Sequence, residues 1–98
     1  MFYRMTRLHF EEERLDDLLS FAETLRGQVQ AIDGLRFADI AKTGEGEGMI
    51  IAGYESESDY EAVAAEVATM LGQLGEYLTS TPHGHQGTVV FSFGAPPA

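Results

Sequence analysis

The sequence predicts an α+β domain in the order βαββαβ, a four-stranded antiparallel sheet with both helices on one face. Three observations carry the prediction. Two stretches keep apolar residues at three- and four-residue spacing, strand-like runs flank each of them, and a glycine-rich hairpin joins the two halves.

Phe2 to Phe10 is rich in aromatic and bulky residues and ends at the acidic run Glu11 to Glu13, which suits the first turn of a helix. This is the first strand. Leu15, Leu18, Leu19, Ala22, Leu25 and Val29 then form one apolar stripe, so a helix is expected to about Gln30. Asp33-Gly34 punctuates, and Leu35 to Lys42 reads as the second strand. Thr43 to Gly48 carries three glycines and little to pack, and the apolar run Met49 to Tyr54 follows, which predicts a hairpin.

Ser58 with Glu61 three residues later has the form of a capping box, placing the start of the second helix there. Its stripe includes Tyr60, Val63, Val67, Met70, Leu74 and Leu78, and a break is expected near Gly72. Thr81 to Gly87 reads as a turn-rich loop, and Thr88 to Phe93 as the last strand, with Phe91 and Phe93 in the core. Residues 1–94 thus form one domain, and residues 95–98 a frayed tail.

A single chain of this topology covers only one face of its sheet. Half-exposed antiparallel strands alternate apolar and polar residues, but here both faces carry apolar bulk. Met49 and Ile51 lie on one side of the third strand and Ile50, Ala52 and Tyr54 on the other. A bare second face exceeds what a monomer usually exposes, whereas burying about 800 Å² per partner makes an ordinary interface. A homodimer through the sheet face is expected.

The chain has 98 residues, enough for one core, and 44% of them are hydrophobic, so it is expected to fold. Sixteen acidic against six basic residues give a net charge of −10, which argues against nucleic acid and anionic membranes as partners. No apolar run approaches the length of a membrane span, and the opening Met1-Phe2-Tyr3-Arg4 enters a strand pattern at once, so a cytoplasmic location is expected. With no cysteine, disulfides, thiolate metal sites and cluster-binding chemistry are excluded.

Over nearly its whole length the chain resembles the dimeric α+β barrel superfamily, the ferredoxin-like fold of the antibiotic-biosynthesis and haem-degrading monooxygenases. The resemblance lies in the short opening strand, the first helix running into Ile32-Asp33-Gly34-Leu35, and the strand leading to Tyr54-Glu55-Ser56-Glu57-Ser58-Asp59. It implies homodimerisation through the sheet faces and a small-molecule cleft between sheet and helices, either in a cofactor-free monooxygenase-like enzyme or in a non-catalytic ligand-binding or oligomerisation module. Haem-degrading members rely on an Asn, a Trp and a helix-borne His. This sequence has neither Asn nor Trp and carries Ala64 and Ala65 where that histidine is expected, so haem degradation is not expected.

The candidate catalytic residues are His9, as a general base if it faces inward, and Tyr60. The candidate substrate-binding residues are Arg4, Arg7, Tyr54 and Tyr77. Packing competes for the tyrosines, and pairing with Asp39 or a helical glutamate competes for the arginines. Arg4 and Arg7 fall on opposite faces of the first strand, so only one of them can face the cleft. His9, His83 and His85 gather near Glu45 and Glu47 at one end of the sheet, but a His-x-His in a glycine-rich loop is a weak metal signature, and no metal or cofactor is expected.

Overall fold

The computed structural model describes residues 1–94 and contains one four-stranded sheet with helices on one face. Strand β1 (Phe2–His9) leads through a 3-10 turn (Glu12–Arg14) into helices α1 (Leu15–Thr24) and α2 (Arg26–Gln30). Strands β2 (Leu35–Gly44) and β3 (Glu47–Tyr54) form the hairpin, followed by helix α3 (Glu57–Leu74), a 3-10 turn (Gly75–Tyr77) and strand β4 (His83–Thr88). The sheet order is β2-β3-β1-β4, with every pair antiparallel. The predicted tail, residues 95–98, lies outside the described residues.

Side chains of paired residues share a face, so the register divides the sheet cleanly. Thr6 pairs with Ile50, Arg4 with Ala52 and Phe2 with Tyr54, and these six residues look toward the helices. Phe2, Ala52 and Tyr54 join Leu25, Ile32, Tyr60 and Met70 in the main core. Leu8, Phe10 and Leu18 form a second cluster at the other end of the sheet. The opposite face carries Tyr3, Met5, Arg7 and His9 from β1, with Met49 and Ile51 from β3 and Phe37 from β2. No helix covers it, and Met5 is 36% exposed there.

Four expectations need correction. Helix α3 begins two residues earlier than expected, capped by Ser56: its Oγ accepts from the Asp59 amide at 3.2 Å and donates to the Asp59 carboxylate at 2.9 Å. The pair Ser56/Asp59 therefore does the work assigned to Ser58/Glu61, because Ser56 has the extended backbone a cap requires. The helix runs through Gly72 and changes to a 3-10 turn at Gly75. The hairpin is tighter than expected, with Glu45 and Gly46 alone in the turn and Gly46 at φ +67°.

The largest correction concerns the last strand, which is His83–Thr88 and therefore occupies the stretch read as a loop. Tertiary pairing overrides local propensity here, since β1 offers an open edge and Phe2 pairs with Thr88. Beyond Thr88 the chain passes the beginning of β1, with one further bond from the Val89 amide to the Met1 carbonyl. Val89 to Phe93 consequently has no neighbouring strand. Phe91 is 72% and Phe93 99% exposed instead of lying in the core. Among the described residues no helix is long and apolar enough to cross a membrane.

Candidate functional site

Helices α1, α2 and α3 converge over β3 but leave the inner face of β2 partly uncovered. Ala38 and Ile40 stay exposed there, with Ala52 and Tyr54 of β3 beside them. The result is an open cleft of about 810 Å³ whose walls include Leu19, Val29, Val67 and Leu71 from the helices and Ile40 and Ala52 from the sheet. Small side chains at Ala38 and Ala52 create the space. Most of the charged residues at its rim are matched, Arg26 with Glu23 and Arg36 with Glu55, while Asp39 lines the cleft without an ion pair among the described residues. Both pairs are solvent-exposed and contribute little to stability, and they leave Asp39 as the unmatched charge at the rim.

Tyr54 forms part of the floor of this cleft and is 2% exposed. Its ring meets Tyr60 edge-on at 5.2 Å between centroids, and Tyr60 stacks on Phe2 at 5.5 Å. The guanidinium of Arg4 lies 5.7 Å from the Tyr60 ring centroid. Tyr54, Tyr60 and Arg4 therefore form a continuous group leading from the apolar floor to a cation. Burial raises the Tyr54 hydroxyl above its ordinary pKa, the neighbouring Tyr60 adds to this, and the Arg4 charge opposes it without cancelling it. At neutral pH Tyr54 is a protonated donor.

The partner of Arg4 is neither Asp39 nor a helical glutamate, in contrast to the pairing expected. Its Nη1 donates to the Gln86 side-chain carbonyl at 2.8 Å, and its buried Nε has no partner. The guanidinium reaches this position across Gly84, where a Cβ atom would stand 2.5 Å from Nη2. Both Gln86 and Gly84 belong to β4, which sequence reasoning took for a loop, so these supports escaped notice. Strand alternation on β2, which puts Ala38 and Ile40 on one side, is the signal in the sequence that bears on the cleft wall.

The other candidate residues lie elsewhere. Arg7 and His9 alternate onto the outer face of β1, away from the cleft, so the condition attached to His9 as a base is not met. Tyr77 stacks on Phe21 at 5.3 Å, with the Arg14 guanidinium 5.1 Å from its ring, which ties the turn after α3 to α1. It does not line the cleft. His83 and His85 face each other at 6.0 Å on β4, and His9 pairs in register with Glu47. Among the described residues no three histidine or carboxylate side chains converge as a metal site.

Neither a protein-family model nor a curated protein matches the sequence. Solved structures do match. A monooxygenase from Streptomyces coelicolor, ActVA-Orf6, in complex with nanaomycin D, superposes with a TM-score of 0.78 at 16% identity, covering 97% of this chain and 92% of that one. A dimeric ferredoxin-like protein from an uncultured marine organism gives 0.74 at 19% identity, covering 97% and 92%. An antibiotic biosynthesis monooxygenase gives 0.73 at 11% identity, covering 92% and 99%. At these identities the likeness is one of fold, the ferredoxin-like α+β fold.

Proposed function

Taking the fold of the monooxygenase-like barrels as its premise, we propose that this chain binds a small, mostly apolar molecule between its sheet and helices and works as a homodimer joined through the bare sheet face. One observation carries the reading: a mostly apolar cleft, its rim arginines already paired, has a buried, protonated tyrosine in its floor. Apolar walls supply affinity, and a few placed polar groups supply orientation. Tyr54 is suited to donate to a carbonyl or phenolic oxygen of the bound molecule, and Tyr60 and Arg4 support it from behind. The Streptomyces protein of the same fold holds an organic ligand, which favours such a role for the fold.

The same arrangement serves binding and catalysis, since a donor that orients an oxygen also stabilises charge developing on it. Monooxygenase-like turnover by Tyr54 and Tyr60 extends the proposal, and retention of an unaltered ligand is the non-catalytic alternative. The cleft itself is tested by titrating the protein with the neutral apolar dye N-phenyl-1-naphthylamine. Ala38 is exposed on β2 and lines the cleft, so Ala38→Phe fills space without burying new polar groups. Dye affinity should fall at least about tenfold, a change of about 1.4 kcal/mol. Unchanged affinity in a folded Ala38→Phe protein would show that the dye binds elsewhere and that the cleft is not a binding site.

A further inference from the structure

We infer that charge on the bare sheet face fixes how a second copy docks: Asp39 of each chain meets the basic cluster Arg7, His83 and His85 of the other, about a two-fold axis running along the strands between β1 and β3. The inference rests on the dimeric reading above and adds to it the orientation of the partner and the side chains that select it.

Charge on the bare face is sorted by strand. The register sets level rows across it: Phe37, Gly53, Tyr3 and Gly87 share one, Asp39, Ile51, Met5 and His85 the next, and Ala41, Met49, Arg7 and His83 the one after. Glu47 and His9 follow. Asp39 borders the cleft as part of the edge strand β2, but Ala38 and Ile40 take the inner side of that strand, so alternation turns the Asp39 side chain to the bare face. Both carboxylates of this face therefore stand on β2 and β3, and Arg7 and the three histidines on β1 and β4. The boundary between acid and base is the middle of the sheet.

None of these groups makes an ion pair among the described residues. Arg7, Asp39, His83 and His85 are exposed. His83 and His85 lie 6.0 Å apart, Arg7 pairs in register with His83, and no carboxylate joins them on β1 or β4. A basic cluster without an acid, on a chain of net charge −10, is complementary to the half of the same face that carries only acid.

For two sheets aligned face to face, the axis in the contact plane runs either across the strands or along them. Across the strands, it lays β1 and β4 on the partner's β1 and β4, base against base. Along the strands, it reverses the strand order, lays β4 over the partner's β2 and β1 over the partner's β3, and keeps each row level with itself. His85 then faces the partner's Asp39, and His9 the partner's Glu47, each contact occurring twice. Bulk is matched by the same operation. The Phe37 ring lies across Gly53 and adds height beside β2, whereas Gly87 leaves open space on β4, and the axis sets one over the other. Aligned sheets about 10 Å apart cross at about 30°, which moves the facing edge strands by about 4 Å. Asp39 still falls within the cluster, because His83 and Arg7 flank His85.

Sedimentation equilibrium of the full chain tests the inference, with Asp39→Lys, His85→Glu and the double variant beside the unaltered protein. Both positions are exposed in the single chain, so the fold is kept. Each single change sets like charges against each other at two symmetric contacts and should raise the dimer dissociation constant at least about tenfold. The double variant restores opposite charges at both contacts and should return to within about threefold of the unaltered protein. A dimer that the single changes leave as tight as before, or a double variant as weak as the singles or weaker, overturns the arrangement and leaves the face-to-face dimer standing. An unaltered protein that stays monomeric at every concentration overturns both.

Discussion

Tyr54 joins the main core to the cleft, and its hydroxyl gives the site a titration signature. Because burial raises its folded-state pKa, the unfolded chain releases this proton first as the pH climbs. Its contribution to stability is therefore complete below the unfolded value of about 10 and is lost as the pH rises from there through the folded value. Urea unfolding between pH 9 and about 11 should show falling stability in the unaltered protein and a shallower fall in Tyr54→Phe, which keeps the ring and loses the proton. Arg4→Met tests the cation beside it. For a ligand with an anionic or carbonyl oxygen held by Tyr54, affinity should drop about fivefold to tenfold on losing the positive charge behind the Tyr54–Tyr60 pair, while affinity for the neutral dye stays the same. Equal affinity of both proteins for the oxygen-bearing ligand would remove Arg4 from the site. That Arg4 and Arg7 divide between faces was legible from strand alternation alone. The Gln86 partner was not, since it depends on the register of β4, and nothing local in His83 to Thr88 announces a strand.

Among the elements, α3 offers the sharpest comparison between local pattern and outcome. Ser56→Ala should cost about 1 kcal/mol in thermal or urea unfolding, the usual cost of losing an N-cap, and Ser58→Ala much less. Equal losses would return the cap to Ser58. Glu12 holds the hairpin to the turn before α1: its carboxylate accepts from the Lys42 ammonium at 2.6 Å and the Gly46 amide at 2.8 Å. The Lys42 bond and then the Gly46 amide lower its pKa below the usual carboxylate value, so the tie is present at neutral pH and is lost as the pH falls through that lowered value. In Glu12→Gln the protection factor of the Gly46 amide, its exchange relative to the intrinsic rate at that pH, should fall at neutral pH, as it should in the unaltered protein on acidification. The elements with a clear period, β1, α1, β3 and α3, were readable because their buried faces wrote that period into the sequence. The reading failed at β4, where pairing with β1 makes a strand of polar and glycine residues. It failed again just beyond, where an apolar β-prone segment has no strand beside it in its own chain.

For the molecule as a whole, the governing fact is a sheet with two apolar faces and helices for only one. Tyr3 and Phe37 pack edge-on at 5.6 Å on the bare face, near Met5, Met49 and Ile51, and this is the surface that the proposed dimer would bury. The imbalance was visible in the sequence of β1 and β3, so the fold and its uncovered apolar face were legible. The cleft was not, because it arises from where three helices stop short of β2. Arg7, His9, His83 and His85 lie on the same bare face, on the side of the proposed dimer contact and away from the cleft. Native mass spectrometry of the untagged protein tests the central claim most directly, since it counts subunits and retained molecules together. The expected spectrum is dominated by two chains, with up to one organic molecule per chain that Ala38→Phe displaces; a spectrum dominated by single ligand-free chains at every concentration would contradict it.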